Sequence, residues 1–303
     1  MIVAVEPILL AMAILLGVGA LLLAIFSLWP ATAVHARPLW PTFVTELVIV
    51  MVPALAFWAG GYVLAAALAL LAWRVSYEAL TVALARLPNE RNGKLPLLGG
   101  AALALAALAL AALPLGVAVA VAGAMMAAAA LLLAARPDLR GTLPNALAEI
   151  LLFPVLPMAV FLAAAFDPAH RGLVLLLFLL VETFDSYALL GGKLFGRTPA
   201  FPRLSPRKTV EGLGCGAACL ALTAAVLGPV LYGLPIWVSV AGALGVGLLA
   251  TAGDLLASRL KRVAGVKDYP LLMPRQGGLF DIVDAWLMTG AGVMLALTLL
   301  GRI

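Results

Sequence analysis

Charge is scarce in this sequence: 11% of its 303 residues are Asp, Glu, Lys or Arg, against roughly a quarter in a soluble domain. With a mean hydropathy of +1.17, that scarcity excludes an ordinary water-soluble globule. Cysteine is scarce too. Cys215 and Cys219 are the only two, four residues apart in an apolar run and therefore on one helix face. One helix face does not supply four metal ligands, so the plain reading is a pair of small residues in a helix interface. No periodic repeat is evident, and no inverted repeat of the transporter kind shows in the hydropathy. The first apolar segment lacks a basic leader, since Glu6 is its only charge. It reads as a retained helix and not as a signal peptide.

What is there is apolar and long. Runs of about 18 or more apolar residues recur, each long enough to cross a hydrocarbon core of roughly 30 Å. In lipid the backbone must satisfy its own polar groups, so such runs are helices. The fold class is all-α: a polytopic integral membrane helical bundle of about nine or ten helices, read as one membrane domain over residues 1–303. Candidate spans are 6–29, 43–58, 60–77, 97–113, 115–134, 145–165, 172–191, 210–231, 235–255 and 282–300. The stretches 43–77 and 97–134 each admit one helix pair or a long tilted helix with a re-entrant piece. Gly60-Gly61 and Pro114 supply the breaks.

Alternation through ten spans puts seventeen of the nineteen Lys and Arg residues on one side. By the positive-inside rule that side is cytoplasmic. The basic balance, with a pI near 9.5, is then a topology signal, and no nucleic-acid partner is expected. An Ala-, Leu- and Arg-rich composition suggests a bacterial inner (plasma) membrane.

The charge that exists is concentrated. Gly253–Asp284 holds four of the fourteen acidic and five of the nineteen basic residues. Asp254, Ser258 and Lys261 fall at i, i+4 and i+7, on one face of a helix leaving the membrane. Lys267-Asp268 follows in a loop and Gln276-Gly277-Gly278 makes a tight turn. Asp281 and Asp284 then share a face as the next helix enters. Carboxylates from two helices near one interface can hold Mg²⁺, which takes oxygen ligands, keeps waters and bridges to phosphates. They can equally be Asp–Lys/Arg pairs capping helix ends.

A second polar stretch starts at Val181. Glu182 and Asp185 lie inside a span, where a carboxylate costs at least about 2.5–3.5 kcal/mol at the bilayer centre. Gly191-Gly192-Lys193 and a turn at Ser205-Pro206-Arg207-Lys208-Thr209 can offer backbone N–H groups and cations to phosphates. A basic juxtamembrane loop that only attracts anionic lipid is the alternative.

The two stretches together resemble the phosphatidate cytidylyltransferase (CDP-diacylglycerol synthase) family. The residues that carry the resemblance are Ser258-Arg259-Leu260-Lys261-Arg262, Lys267-Asp268, Gln276-Gly277-Gly278 and Asp281-Ile282-Val283-Asp284. In the earlier stretch they are Asp185-Ser186, Gly192-Lys193-Leu194-Phe195-Gly196-Arg197 and Ser205-Pro206-Arg207-Lys208-Thr209-Val210-Glu211-Gly212. Four positions depart from the family pattern: Gln276 stands for a His, Ile282 for an Arg, Pro270 for a small residue and Leu189 for a Tyr or Phe.

The resemblance implies an enzyme that joins CTP to phosphatidic acid or a similar lipid phosphate, giving a CDP-lipid and pyrophosphate. It implies a catalytic region at 180–290, with residues 1–42 an additional N-terminal helix and loop. Asp254 and Asp281 become the ligands of Mg²⁺ (or Mn²⁺, with a monovalent ion as a possible neighbour), supported by Asp284. Lys261 joins the catalytic group. Asp185, Lys193, Ser205, Lys208, Ser258, Arg262, Lys267, Asp268 and Gln276 become substrate-binding residues. Asp281→Asn is expected to stop turnover and leave the fold intact. CTP, membrane lipids and a homodimeric partner copy complete the expected partners. Two rivals stay open: a CTP-dependent polyprenol or phytol kinase, and a non-enzymatic transporter or scaffold in which Glu182 and Asp185 form an ion path.

Overall fold

The computed structural model describes residues 4–87, 94–273 and 277–303. Among them, ten helical stretches are long and apolar enough to cross a membrane, and the chain is an all-α polytopic bundle. The doubtful stretches resolve as pairs. α3 (Trp40–Ala59) and α4 (Gly61–Leu84) are separated at Gly60 and Gly61, both at positive φ, and α5 (Lys94–Ala111) and α6 (Leu115–Ala135) at Pro114. By contact density the chain divides into two compact units, Met1–Leu64 with Arg171–Leu248, and Ala65–His170 with Leu249–Ile303.

In the first unit, α1 (Val5–Leu28) turns through short α2 (Pro30–Ala36) into α3. The corner is tied by side chains. Trp40 Nε1 donates to Ser27 Oγ at 3.1 Å, and Arg37 Nε to the Ser27 carbonyl at 3.1 Å. α9 (Arg171–Phe195) and α10 (Val210–Tyr232) form a close pair. Lipid supplies no hydrophobic drive between helices, so such pairs rely on small residues that let backbones approach. A methyl group at Gly212 would lie 2.6 Å from the Ala188 carbonyl oxygen, and one at Gly216 would lie 2.6 Å from that of Phe184. Cys215 belongs to the same interface: its Sγ would be 2.6 Å from a methyl at Gly191. Both cysteines are unpaired.

A two-stranded antiparallel hairpin joins α9 to α10. β1 (Pro199–Phe201) pairs with β2 (Ser205–Thr209), Pro199 opposite Thr209 and Phe201 opposite Ser205. Residues 205–209 are therefore a strand and not the turn expected from the sequence, because β1 supplies a pairing edge.

In the second unit, α8 (Leu156–Phe166) is the hub. Leu156 through Ala165 are all buried, and α5, α6 and α12 (Leu279–Leu299) pack on it. α7 (Leu143–Ile150) leads into α8 through a five-residue kinked segment, Leu151–Val155. α11 (Ile236–Val263) ends in this unit. α4 runs to Leu84, two turns past the expected end at 77. Arg74 and Glu78 therefore lie one turn apart within the same helix.

Candidate functional site

In the first unit the expected site residues sit on α9, across the hairpin and next to the start of α10. Thr209 is the N-cap of α10, its Oγ1 accepting the Gly212 N–H at 3.1 Å. That bond satisfies one of the orphan donors of the first turn. Two residues on, Glu211 Oε2 accepts the backbone N–H groups of Arg197 and Thr198 at 3.0 and 3.1 Å, fastening the start of the hairpin to α10. With both ends held, Lys208 Nζ stands 3.7 Å from Asp185 Oδ1.

Two expected residues of this unit thus meet, a cation beside a carboxylate within α9. Lys193 is exposed in the last turn of α9 and Ser205 is half-buried at the head of β2. Gly191-Gly192 is not a phosphate-cradling loop. Both glycines lie inside α9, where they admit Cys215 and Thr209 of the neighbouring elements.

Glu182 faces elsewhere. It lines an apolar cleft of ≈ 120 Å³ between α1, α3 and α9, together with Glu46, Phe43, Ser186 and Tyr187.

In the second unit the centre is the first turn of α12. Asp281 Oδ1 pairs with Lys261 Nζ from the last turns of α11. Its Oδ2 accepts the N–H groups of Tyr269 at 3.2 Å and Gly278 at 3.0 Å. Asp281 is therefore a cap and an ion-pair partner at once. Tyr269 is buried beneath, its hydroxyl donating to the Ala257 carbonyl at 3.2 Å and its ring 5.3 Å from Lys261 Nζ. Burial holds that hydroxyl well above the ordinary tyrosine pKa, and Asp284, Asp281 and Glu78 add to the effect.

Asp284 is buried, with Oδ1 taking the Ala285 N–H at 2.6 Å. Ser258 is buried one turn before Lys261 on α11. Asp254 is half-buried and follows Gly253, the point where α11 lies against the Asp284 carbonyl. Arg262, Lys267 and Asp268 are exposed, and Arg262 Nη1 donates to the Val266 carbonyl at 3.3 Å. Gln276 lies outside the described residues.

Sequence reading missed the residues that support this turn. Glu78 of α4 is fully buried. Its Oε1 accepts the Leu279 N–H at 3.0 Å and its Oε2 the Phe280 N–H at 2.8 Å. Arg74 Nε pairs with Glu78 at 2.6 Å, and Arg74 Nη2 donates to the Pro270 carbonyl at 3.0 Å. The two glycines are explained by what surrounds them. Gly277 has φ +89°, a conformation open to glycine at no steric cost. A methyl at Gly278 would run into the Glu78 carboxylate and lie 2.7 Å from Tyr269 Cβ. The sequence signal was an Arg and a Glu at i, i+4 in an otherwise apolar helix.

The donor set suits a hard divalent cation. Asp254, Asp281 and Asp284 offer only oxygen ligands. Asp281 has three of about four acceptor positions taken, which leaves one. Among the described residues no group of three or more His, Cys, Asp and Glu side chains could hold a metal ion by itself. Mg²⁺ needs no such cage: it is commonly held by one or two carboxylates and completed by water and substrate phosphate.

The Cytidylyltransferase family model matches residues 41–300, and the chain belongs to that family. Relatives agree in part. The phosphatidate cytidylyltransferase of Mycobacterium leprae is 34% identical over 174 residues, 55% of this chain and 54% of that protein. Phosphatidate cytidylyltransferase 4, chloroplastic, of Arabidopsis thaliana is 42% identical over 108 residues, 35% and 27% of the two chains. Protein YnbB of Escherichia coli K12 is 38% identical over 117 residues, 39% of each. The chain spans about half or less of the length of these relatives. The family match leaves out α1 and α2.

Proposed function

We propose that this chain is a CTP-dependent cytidylyltransferase that converts phosphatidic acid, or a similar lipid phosphate, into a CDP-lipid and pyrophosphate. The observation that carries the reading is the family match over residues 41–300. The basic hairpin and the Lys261–Asp281 turn supply matching chemistry.

In this reaction a phosphate oxygen of the lipid attacks the α-phosphorus of CTP. The bond from the α-phosphorus to the bridging oxygen breaks, and that oxygen leaves with pyrophosphate. The attacking group is already anionic near neutral pH, so little general-base help is needed. Catalysis becomes positioning and charge neutralisation.

Lys208, Lys193 and Ser205 bind phosphate oxygens in the first unit, and Asp185 orients Lys208. In the second unit Asp254 and Asp281 would hold a divalent cation, with Asp284 in support, and Lys261 pairs with Asp281. Mg²⁺, when bound, supplies charge neutralisation at the phosphates. Ser258, Arg262, Lys267 and Asp268 contact substrate around that turn. The basic side of the protein faces the cytoplasm of a bacterial cell, where CTP is dissolved and the lipid head group is reachable. A homodimer is the proposed assembly.

The test is incubation of the purified chain in mixed micelles with phosphatidic acid, radiolabelled CTP and Mg²⁺, followed by resolution of the lipid products. A CDP-lipid that disappears on chelation supports the reading. With a polyprenol added to the micelles, release of CDP with a phosphorylated lipid alcohol would make it a kinase instead. No CTP turnover with any lipid phosphate would overturn it.

A further inference from the structure

The first turn of α12 is held by a carboxylate just over two hundred residues earlier in the chain, and that arrangement is more than a helix cap. A helix N-terminus leaves four backbone N–H groups without intrahelical partners. Here the Glu78 side chain takes two of them, Leu279 and Phe280, one with each oxygen. Asp281 takes a third, that of Gly278. The two carboxylates therefore divide the turn between them: Glu78 anchors the backbone just before Asp281, and Asp281 reaches out to Lys261.

The anchor is itself braced. Arg74 bonds Glu78 at 2.6 Å and, through its other nitrogen, bonds the Pro270 carbonyl at 3.0 Å. Pro270 follows Tyr269, whose N–H is the other backbone donor to Asp281. One Arg–Glu pair thus grips both chain segments that hold Asp281, the 269–270 segment and the 278–280 segment. The absence of a side chain at Gly278 is what admits the Glu78 carboxylate. A buried ion pair is poor value for stability alone, since desolvation offsets most of the attraction. It does confer position.

We infer that Glu78, braced by Arg74, is the positioning residue that sets where the Asp281 carboxylate sits, and so sets divalent-cation affinity at this turn. Glu78 touches neither substrate nor metal; it acts through Asp281. This rests on the proposed role of Asp281 in holding the cation. Outer-shell partners of metal ligands typically change affinity by about 10–100-fold when altered.

The experiment compares the full chain, Glu78→Gln and Arg74→Lys in nanodiscs. Gln keeps the shape but offers one oxygen in place of two and no charge for Arg74. Lys keeps a cation but cannot reach Glu78 and Pro270 together. Three quantities are read: amide hydrogen exchange at Leu279 and Phe280, binding of Mn²⁺ by electron paramagnetic resonance, and the Mg²⁺ dependence of CDP-lipid formation.

In Glu78→Gln, exchange at both amides speeds up by about tenfold. Mn²⁺ affinity falls by about tenfold and the half-saturating Mg²⁺ rises by about the same factor. The KM for CTP at saturating Mg²⁺ stays within about twofold, since the substrate contacts are untouched. Faster exchange with wild-type Mn²⁺ affinity and Mg²⁺ dependence would reduce Glu78 to a cap and overturn the inference. So would a wild-type chain that binds no Mn²⁺.

If the wild type binds Mn²⁺ but turns over no CTP, the proposed function fails. The inference then stands or falls on Mn²⁺ binding in the variants. If Glu78→Gln does not fold, Arg74→Lys decides by the same readouts, with a smaller shift in the same direction.

Discussion

Gly253 of α11 lies against the backbone of Asp284 in α12: a methyl group added at Gly253 would meet the Asp284 carbonyl oxygen at 2.7 Å and the Ala285 Cα at 3.1 Å. The obstacle is backbone, which cannot swing aside as a side chain could. Gly253→Ala must therefore separate the two helices that carry Asp254 and Asp284. Overpacking of this kind costs about 1–3 kcal/mol, and the gain of about 1 kcal/mol in helix propensity offsets only part of it. The variant is expected to melt at a lower temperature in detergent and to lose activity. An unchanged melting temperature would mean that α11 and α12 part without strain.

Lys208 and Asp185 predict the opposite balance. Their side chains are 22% and 41% exposed and 3.7 Å apart, a pair worth about 0–1 kcal/mol in stability. Lys208→Ala should therefore leave the melting temperature nearly unchanged and reduce CDP-lipid formation by about a hundredfold, as loss of a charge-stabilising donor does. Lys208→Arg should recover part of the rate. Equal rates in all three proteins would remove Lys208 from phosphate binding.

Asp281→Asn should cost both activity and stability. The expectation of an intact fold came from seeing Asp281 only as a ligand. In the structure it also pairs with Lys261 and caps Gly278 and Tyr269. Hydrogen bonds to charged groups contribute about 1.5–3 kcal/mol. Turnover should vanish and the thermal transition should fall by several degrees, on the order of what about 2 kcal/mol produces in a chain of this size. Full stability with lost turnover would show that the capping bonds contribute little.

Cys215 and Cys219 should be indifferent to redox state. Neither is paired, and Cys215 packs on Gly191 between α9 and α10. Melting with and without reductant should coincide. Gly191→Val, which forces a branched side chain onto Cys215, should lower it by about 1–3 kcal/mol worth of stability. A reductant-dependent transition would point to a bond between the two sulfurs.

Hydropathy made the ten helices legible, because a membrane span must be apolar over its whole length. It also ended α4 too early. Arg74, Ser76 and Glu78 look like water-facing residues, yet Ser76 and Glu78 are fully buried. Glu78 has its partners in Arg74 and in the backbone of α12, which hydropathy cannot register. Motif reading named Lys208, Asp185, Lys261 and Asp281 one by one; that they meet as pairs across separate elements is seen only in the structure. It assigned Gly191-Gly192 to a loop because a glycine pair signals a turn as readily as a tight helix crossing. Glu78 left only one mark, an Arg one turn before it; its partners Leu279 and Phe280 are some two hundred residues away and are bonded through backbone atoms, which carry no sequence mark.

The hairpin has one more consequence. Arg203 stands exposed at its tip, between β1 and β2, while the strands below are paired and Glu211 ties their base. A protease cutting at that tip would divide the chain into two pieces, one ending after α9 and one beginning before α10. Those pieces would still share the glycine-lined α9–α10 seam. The glycine contacts of that seam do not pass through the cut, so two separately made halves would meet along the same surface.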